Sequence, residues 1–301
     1  MRKQVAAVGA VVLVFAALAG CGSSSNTSST STTSSASIST PAVNTSLAAQ
    51  VPAAIKSKGT LNVATEAQYA PNEFIAPDGH TVIGMDADLI RSIASLLGLK
   101  VRLIDSNFET IIPGLAAGRY DIGVSSFTDT KEREKTVDFV TYFQAGITFY
   151  ALSSSNATVN DVGDLCGKSV ALEKGTVEQE EAESQSSKCT KEGKKAVKAL
   201  IFPGQNPVNL AVASGRAEMG MADSPVAEYQ VQQSGGKFKQ LCKCYGFAPY
   251  GIAIPKNSGM STPILAAVKE LMSDGSYTAI LKKWGVESGA ITDPKINGAI
   301  S

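Results

Sequence analysis

Residues 125–133 read Ser-Ser-Phe-Thr-Asp-Thr-Lys-Glu-Arg, and this stretch carries the strongest indication of both fold and function. It follows Tyr120–Val124, where polar and apolar residues alternate as in a strand. Small hydroxyl residues after a strand let backbone N–H groups approach a ligand, and a nearby arginine can form a bidentate fork on a carboxylate. The stretch therefore indicates a pocket for a small carboxylic acid. The alternative is a solvated surface, because residues 131–135 alternate in sign.

Length and composition narrow the possible functions. The chain has 301 residues, of which 44% are hydrophobic, which is enough for a buried core and predicts division into two lobes. Lys plus Arg and Asp plus Glu both total 27, so no basic field for nucleic acid is expected. His80 is the only histidine and lies in a turn-like segment, which disfavours His-dependent catalysis and multi-His metal sites. We expect neither a metal nor a cofactor.

The amino terminus predicts export and a lipid anchor. Arg2-Lys3 precedes an apolar run, Val5–Gly20, that is shorter than the ~20 residues of a membrane-spanning helix. The run ends in Leu18-Ala19-Gly20-Cys21, which resembles a bacterial lipobox. This resemblance implies removal of residues 1–20 and diacylation of Cys21. A plain signal peptide with a chance cysteine is the alternative.

A polar segment follows the predicted lipidation site. From Ser23 to Thr40, 15 of 18 residues are Ser or Thr, and no charged residue occurs between Cys21 and Lys56. Such a composition has too little apolar surface to fold. We therefore predict a flexible tether over residues 21–55, which resembles the spacer of Gram-positive lipoproteins.

Strands and helices alternate through the next hundred residues. Strands are predicted at 59–65, 101–104 and 120–124, and Asp86 is predicted to cap the helix between the first two. This alternation predicts a largely parallel sheet with ligands at the carboxyl ends of its strands. Glu66, Tyr69 and Ser126 all fall at that edge.

The same pattern then repeats, which predicts a second lobe. Strands are expected at 169–172, 199–202 and 217–221, and extended runs at 147–152 and 246–254 can cross between the lobes. Two helices, 262–272 and 276–284, are expected to finish the chain. The predicted first lobe comprises residues 56–150 and 247–301, and the second comprises residues 151–246.

By its motifs the chain resembles the family 3 solute-binding proteins, the polar-amino-acid receptors of bacterial ABC importers. The resemblance runs from Gly59 to Trp284. It rests on motifs that occur in order: Thr65-Glu66-Ala67-Gln68-Tyr69-Ala70-Pro71, Gly84-Met85-Asp86-Ala87-Asp88-Leu89, Ile112-Pro113-Gly114-Leu115, residues 126–133, Val137-Asp138-Phe139, Leu165-Cys166-Gly167-Lys168, Glu173-Lys174-Gly175-Thr176 and Met221-Ala222-Asp223. It implies a two-lobed α/β fold of the type II periplasmic-binding-protein (Venus-flytrap) class, with two crossover strands at the hinge.

The resemblance also implies roles at a ligand site. Arg133 matches the residue that forks the ligand α-carboxylate, and Thr176 matches the residue whose backbone N–H binds the same carboxylate. Asp223 matches the acid that binds the α-ammonium. Ser126 and Thr128 match positions that offer the ammonium a carbonyl and a hydroxyl. For Thr176 and Asp223, ordinary helix capping is the competing explanation.

Three further positions would surround the ligand side chain. Tyr69 and Phe108 match aromatic walls, although ordinary packing would also explain them. Glu66 matches an acidic position that faces the side-chain pocket, which favours a cationic or amide ligand over an acidic one. The chain departs from the family where an aromatic residue commonly follows the Tyr-x-Pro turn, since Asn72 stands there.

Four cysteines are left when Cys21 is set aside. Cys166 and Cys189 flank the strand and helix that open the second lobe, and related lipoproteins often pair these positions. Cys242 and Cys244 are two residues apart, so a bridge between them would need a kinked backbone. Two thiols, or a pairing of either one with Cys166 or Cys189, are the alternatives.

Together these features predict a monomeric, lipid-anchored binding protein on the extracellular face of the cytoplasmic membrane. It would bind a polar amino acid by lobe closure and deliver it to an ABC permease, without catalysis. An enzyme of the cyclohexadienyl dehydratase type on the same fold, with Glu66 and Glu173 as its candidate acids, is one alternative. A sensor domain is the other.

Overall fold

The computed structural model describes residues 40–300. The predicted signal peptide, the predicted lipidation site Cys21 and most of the predicted tether lie outside these residues. The strands are β1 (Thr60–Thr65), β2 (Gln68–Tyr69), β3 (Glu73–Ile75), β4 (Val82–Ile83), β5 (Lys100–Asp105), β6 (Ile122–Gly123), β7 (Val137–Leu152), β8 (Ser169–Glu173), β9 (Lys198–Phe202), β10 (Met219–Asp223), β11 (Phe238–Gln240) and β12 (Tyr245–Pro255). The helices are α1 (Thr45–Ala49), α2 (Ala53–Lys58), α3 (Met85–Leu96), α4 (Phe108–Ala116), α5 (Val177–Lys191), α6 (Gln205–Ala213), α7 (Ser224–Gln233), α8 (Ser261–Ser273) and α9 (Ser276–Trp284).

The main sheet has the strand order β5-β1-β6-β12-β7-β10-β8-β9, and β11 pairs with β7. Pairing is parallel from β1 to β5 and β6, and again from β8 to β9 and β10. Strand–helix–strand connections require this arrangement, because a helix must return the chain to the starting edge of the sheet. The two parallel groups predicted from the sequence are therefore present.

Two long antiparallel strands join these groups. β7 has 16 residues and β12 has 11, and they pair from Ile147 and Tyr245 to Val137 and Pro255. The early part of β7 packs in one core through Tyr142, while its later part packs in another through Phe149. The predicted pair of crossover strands at the hinge is thereby confirmed. The sequence did not indicate that they pair with each other.

Each lobe has its own apolar core. In the first lobe, Leu61 and Val63 of β1 pack with Ile90 and Ile93 of α3, all at most 1% exposed. In the second lobe, Leu172 of β8 is fully buried in a separate cluster. Side chains of this size each stabilise the fold by about 1.5–3 kcal/mol on burial. Each lobe is thus stabilised by a core of its own.

The predicted tether extends too far into the folded region. Residues 44–58 form α1 and α2 instead, and Leu47 and Val51 are buried against the first lobe. The Asn44 N–H donates to the carbonyl oxygen of Leu96 at 3.0 Å. Helices as short as α1 and α2 gain their stability from packing against the rest of the fold, which local composition does not reveal.

The prediction that Asp86 caps a helix is wrong. The N-cap of α3 is Gly84, whose φ of 131° suits glycine, and a Cβ there would lie 2.1 Å from the carbonyl oxygen of Asn72. Asp86 is inside the helix and 1% exposed. Its Oδ2 accepts hydrogen bonds from the backbone N–H of Ser126 at 3.0 Å and from the hydroxyl of Tyr142 at 2.8 Å. Asp86 thus supports the loop that begins the 126–133 stretch.

The sequence predicted that α8 and α9 finish the fold, but a further segment packs on it after α9. Residues beyond it return along β7, where Ile296 forms a bridge with Val140. The Gly298 N–H donates to Asp129 at 2.7 Å, and the Ala299 N–H donates to Glu134 at 3.1 Å. This carboxyl-terminal segment braces the 126–133 stretch from outside. Among residues 40–300, no helix is both long enough and apolar enough to cross a membrane.

The structure joins Cys166 and Cys189 in a disulfide that closes a segment of 23 residues. Cys242 and Cys244 are both thiols. The Cys244 thiol donates to Glu228 at 3.3 Å, and burial together with this carboxylate raises its pKa to about 11. A thiol so reluctant to ionise is a poor partner for exchange.

We expect the double replacement Cys166→Ser and Cys189→Ser to lower the free energy of unfolding by about 3 kcal/mol. The estimate comes from the lost constraint on the unfolded chain for a loop of this length. Urea unfolding followed by circular dichroism measures it. The matched control is Cys242→Ser with Cys244→Ser, which breaks no disulfide and should change stability by less than about 1 kcal/mol. Equal losses in the two double variants would contradict the prediction.

Candidate functional site

A cleft lies between the lobes, where the carboxyl ends of β6, β8 and β10 meet. It encloses about 410 Å³ free of protein atoms, part of it open to solvent. The lining residues are Tyr69, Phe108, Ser126, Thr128 and Arg133 from the first lobe, and Glu173, Thr176, Val177, Glu178, Gln205, Met221, Ala222, Asp223 and Val226 from the second. Seven of the eight residues predicted to bind ligand are in this list, and Glu66 is the exception. Their contact with a ligand stays a prediction.

The lobes touch each other at the rim of the cleft. Lys174 of the second lobe forms an ion pair with Glu109 of the first at 2.7 Å. The Asn206 N–H donates to the side-chain oxygen of Gln68 at 3.0 Å. The Cβ that an alanine would place at Gly175 would lie 3.0 Å from the Cβ of Glu109. The close approach there favours glycine, whose φ is +81°.

Arg133 spans the cleft. Its Nη1 donates to the carbonyl oxygen of Thr128 at 2.8 Å, and its Nη2 donates to the carbonyl oxygen of Gly175 at 3.0 Å. Its guanidinium carbon lies 5.3 Å from the ring centre of Phe108, within the range of a cation–π contact. These contacts hold the planar donor group at the junction of the lobes, where it can form a fork on a carboxylate.

Thr176 is the N-cap of α5. Its hydroxyl accepts from the Gln179 N–H at 3.3 Å and donates to the carbonyl oxygen of Glu173 at 2.9 Å. The side chain thus caps the helix, as the competing explanation held. The predicted contact with the ligand carboxylate would be made by the backbone N–H of Thr176. The start of a 15-residue helix is a favourable place for such an anion.

Asp223 ends β10 and occupies the N-cap position of α7. Its side chain makes no capping hydrogen bond. Instead Oδ2 accepts from the hydroxyl of Tyr250 at 2.7 Å. Burial raises the pKa of Asp223 to about 6, although the Tyr250 hydroxyl and the charge of Arg133 act in the opposite direction. The carboxyl group is therefore held in the cleft and poorly solvated, a setting in which a ligand ammonium would compensate its charge.

Ser126 and Thr128 present different groups to the cleft. Ser126 has a φ of 48°, an uncommon conformation for a residue with a side chain. Its hydroxyl donates to Glu73 at 3.1 Å and accepts from the Asn72 side chain at 2.9 Å. That hydroxyl is thus engaged within the protein. The Ser126 carbonyl and the Thr128 hydroxyl stay the groups predicted to contact the ligand ammonium, since the Thr128 carbonyl oxygen accepts from Arg133.

Aromatic rings form one wall of the cleft. Tyr69 and Phe108 meet edge to face, with ring centres 5.9 Å apart. Phe108 also stacks on Phe127 at 4.6 Å. The packing explanation therefore holds for Phe108, which also lines the cleft, and its contact with a ligand stays a prediction.

Glu66 lies behind this wall. It is 1% exposed, and its Oε2 accepts a hydrogen bond from the Phe108 backbone N–H at the start of α4. Burial raises its pKa to about 7, against the lowering effect of hydrogen bonds to Glu173 and Phe108. Glu66, the acid predicted to face the side-chain pocket, therefore does not line the cleft itself. Its neighbour Glu173 does.

Two carboxyl groups in the cleft were not on the predicted list. Glu173 is 2% exposed and Glu178 is 4% exposed, and both line the cavity. Burial, reinforced by Asp223, raises the pKa of Glu178 well above its ordinary value. The positive end of the helix dipole also favours an acid in the first turn of α5, so the position of Glu178 in the sequence does not by itself indicate a ligand contact. The sequence offered one signal for Glu173. It directly precedes Lys174-Gly175-Thr176, the turn whose last residue was predicted to bind the ligand.

Comparisons with known proteins agree with this architecture. The sequence model of the bacterial extracellular solute-binding proteins, family 3, matches residues 61–287. The arginine-binding protein ArgT of Corynebacterium glutamicum is 33% identical over 250 residues, which cover 83% of this chain and 82% of that protein. An ancestral arginine-binding protein solved with glutamine bound is 33% identical with a TM-score of 0.70, covering 76% of this chain and 99% of that one.

A third similar structure bears on the enzyme alternative. It is an ancestral amino acid-binding protein described as a precursor of cyclohexadienyl dehydratase, 31% identical with a TM-score of 0.66, covering 77% of this chain and 97% of that one. It too is a binding protein. Since the named relatives are binding proteins, this chain is a binding protein rather than an enzyme. The family model covers most of its length, and the chain belongs to the bacterial extracellular solute-binding proteins, family 3.

Proposed function

We propose that the protein is a lipid-anchored receptor that binds a polar amino acid by lobe closure and presents it to an ABC permease. Acylated Cys21 would hold it on the extracellular face of the cytoplasmic membrane. Two acyl chains give stable anchoring without a membrane-spanning helix. Residues beyond the anchor would let the folded part reach the permease.

The observation that carries the proposal is the position of Arg133. Its guanidinium contacts the Thr128 carbonyl of the first lobe and the Gly175 carbonyl of the second. A ligand carboxylate bound to Arg133 would lie near the start of α5, and its ammonium could reach Asp223. Ligand contacts would thus differ between open and closed forms, so binding would shift the population toward the closed form. The permease would then recognise the closed shape.

The acidic residues of the cleft favour a ligand with a cationic or amide side chain. Glu173, Glu178 and Asp223 line the cavity, whereas Arg133 is the only basic residue among the lining groups of the described chain. An acidic ligand side chain would meet uncompensated negative charge. Two of the similar proteins agree with this preference: one is named for arginine, and the other is an arginine-binding protein solved with glutamine bound.

A calorimetric screen of the twenty amino acids, together with ectoine and opines, tests the proposal. We expect one or a few polar amino acids to bind, with the ligand recovered unchanged afterwards. Aspartate and glutamate should not bind. Failure of every compound to bind, or loss of a compound with time, would contradict the proposal.

A further inference from the structure

The floor of the cleft contains buried oxygen atoms that lack hydrogen-bond partners. Neither carboxyl oxygen of Glu173 makes a hydrogen bond of ordinary geometry within residues 40–300, and the same is true of Glu66 Oε1 and the Tyr69 hydroxyl. Glu173 lines the cavity and is 2% exposed. Leaving a buried polar group unpaired costs about 1–3 kcal/mol, and more for a charged group. A proton on one carboxyl group, a ligand group in the cleft, or both would supply the hydrogen bonds that these atoms lack.

The two carboxyl groups are close enough to share one proton. Glu66 and Glu173 are direct neighbours, and a proton on either one would join them in a hydrogen bond. A protonated carboxyl can donate to its ionised neighbour, which satisfies one oxygen on each and removes one of two like charges. The backbone N–H of Phe108 already occupies the other oxygen of Glu66. The shared proton would therefore lie between Glu66 Oε1 and one oxygen of Glu173.

No described basic group neutralises this pair. The titratable groups around it are Tyr69 of β2, Asp105 of β5, Glu109 of α4, Lys174 after β8 and Glu178 of α5. Lys174 is engaged by Glu109 at 2.7 Å. Helix α6, which closes the far side with Gln205, has no charged residue between Gln205 and Ala213. Arg133, elsewhere in the cleft, donates to two carbonyl oxygens.

We propose that Glu66 and Glu173 hold one proton between them in the free receptor and exchange it for the cationic side chain of the ligand. This inference rests on the proposed amino-acid receptor function. The ligand cation, a guanidinium or ammonium group, keeps its own protons. The shared proton leaves to solvent, both carboxyl groups become ionised, and the net charge of the side-chain site is conserved.

The electrostatics of the pair determine the direction of the pH dependence. Burial raises the pKa of both groups, and the Glu66 carboxylate raises the pKa of Glu173 further. A bound cation favours the ionised forms, which lowers the pKa values and expels the proton. Affinity for a cationic ligand should therefore rise with pH through the neutral range, by up to about tenfold per unit.

A neutral side chain of the same shape should behave differently. Citrulline replaces the guanidinium of arginine with an uncharged ureido group. Its binding therefore does not lower the pKa values of the carboxyl pair, which keeps its proton. Its affinity should be nearly independent of pH around neutrality. Acid conditions would then narrow the preference of the receptor for the charged ligand over the neutral one.

Titration calorimetry in two buffers of different ionisation enthalpy tests the exchange directly. Near pH 7 we expect about one proton released per arginine bound and close to none per citrulline. Glu173→Gln is nearly isosteric and should abolish both the release and the pH slope for arginine, while citrulline binding shows that the variant is folded. Glu180→Gln removes one carboxylate from an exposed position of α5 and should leave proton release unchanged.

The outcomes separate this inference from the proposed function. Arginine binding without proton release, or unchanged release in Glu173→Gln, would overturn the exchange while the receptor function stands. Binding of neutral amino acids with no arginine binding would overturn it as well. If no amino acid binds at all, the receptor function fails and the inference fails with it.

Discussion

Replacement of Arg133 by alanine should abolish ligand binding and leave the melting temperature almost unchanged. The guanidinium is the group placed to form a fork on the ligand carboxylate, and it is held by the Thr128 and Gly175 carbonyl oxygens. Removing one partner of a buried, hydrogen-bonded charge pair costs about 2–5 kcal/mol, so we expect at least roughly a 100-fold loss of affinity. Titration calorimetry with the ligand found in the amino-acid screen measures this effect.

Stability should change little because Arg133 is only partly buried and packs over Phe108 rather than in either core. We expect a shift of less than about 4 °C in the melting temperature. Arg216→Ala is the matched control, since Arg216 is exposed and lies over the ring of Phe202, away from the cleft. Near-normal affinity in Arg133→Ala would remove Arg133 from the site.

Asp223→Asn should weaken binding by roughly 100-fold, also without unfolding the protein. Asparagine keeps the shape of the side chain but cannot balance the charge of a ligand ammonium, whose desolvation is then uncompensated. Tyr250→Phe serves as the control, because it removes only the 2.7 Å hydrogen bond to Asp223 and leaves the carboxylate in place. That change should cost about 1 kcal/mol, roughly fivefold in affinity. Comparable losses in the two variants would show that the negative charge is unimportant.

The ionisation of Asp223 predicts that ligand affinity depends on pH in the acidic range. The pKa of Asp223 is raised to about 6 in the protein without ligand. Because an ammonium binds the ionised form, affinity should fall as the pH drops below about 6, by up to about tenfold per unit. Glutamine as ligand separates this effect from that of the Glu66 and Glu173 pair, since its side chain is uncharged. A slope that persists in Asp223→Asn would assign the titration to another group.

Local sequence signals were sufficient for the order of the elements. Leu89, Ile93 and Leu96 recur at helical spacing, and the corresponding helix α3 runs from Met85 to Leu96. Gly175-Thr176 indicated a helix start, and Thr176 is the N-cap of α5. Periodicity and capping act over a few residues, so a single sequence records them. Asp86 shows the limit, because a side chain suited to capping is used instead for contacts with Ser126 and Tyr142.

The sequence by itself determined the family, the two-lobed α/β class and the positions of Arg133, Thr176 and Asp223 at loops after strands. Tertiary structure alone decided that Arg133 touches both lobes, that the carboxyl-terminal segment returns along β7, and that Glu173 is buried beside Glu66 with no hydrogen bond of ordinary geometry to residues 40–300. The physical reason is range. Hydrophobic periodicity and turn preferences are local properties, whereas burial and the charge of a neighbour depend on residues more than a hundred positions apart in the chain, such as Glu66 and Glu173.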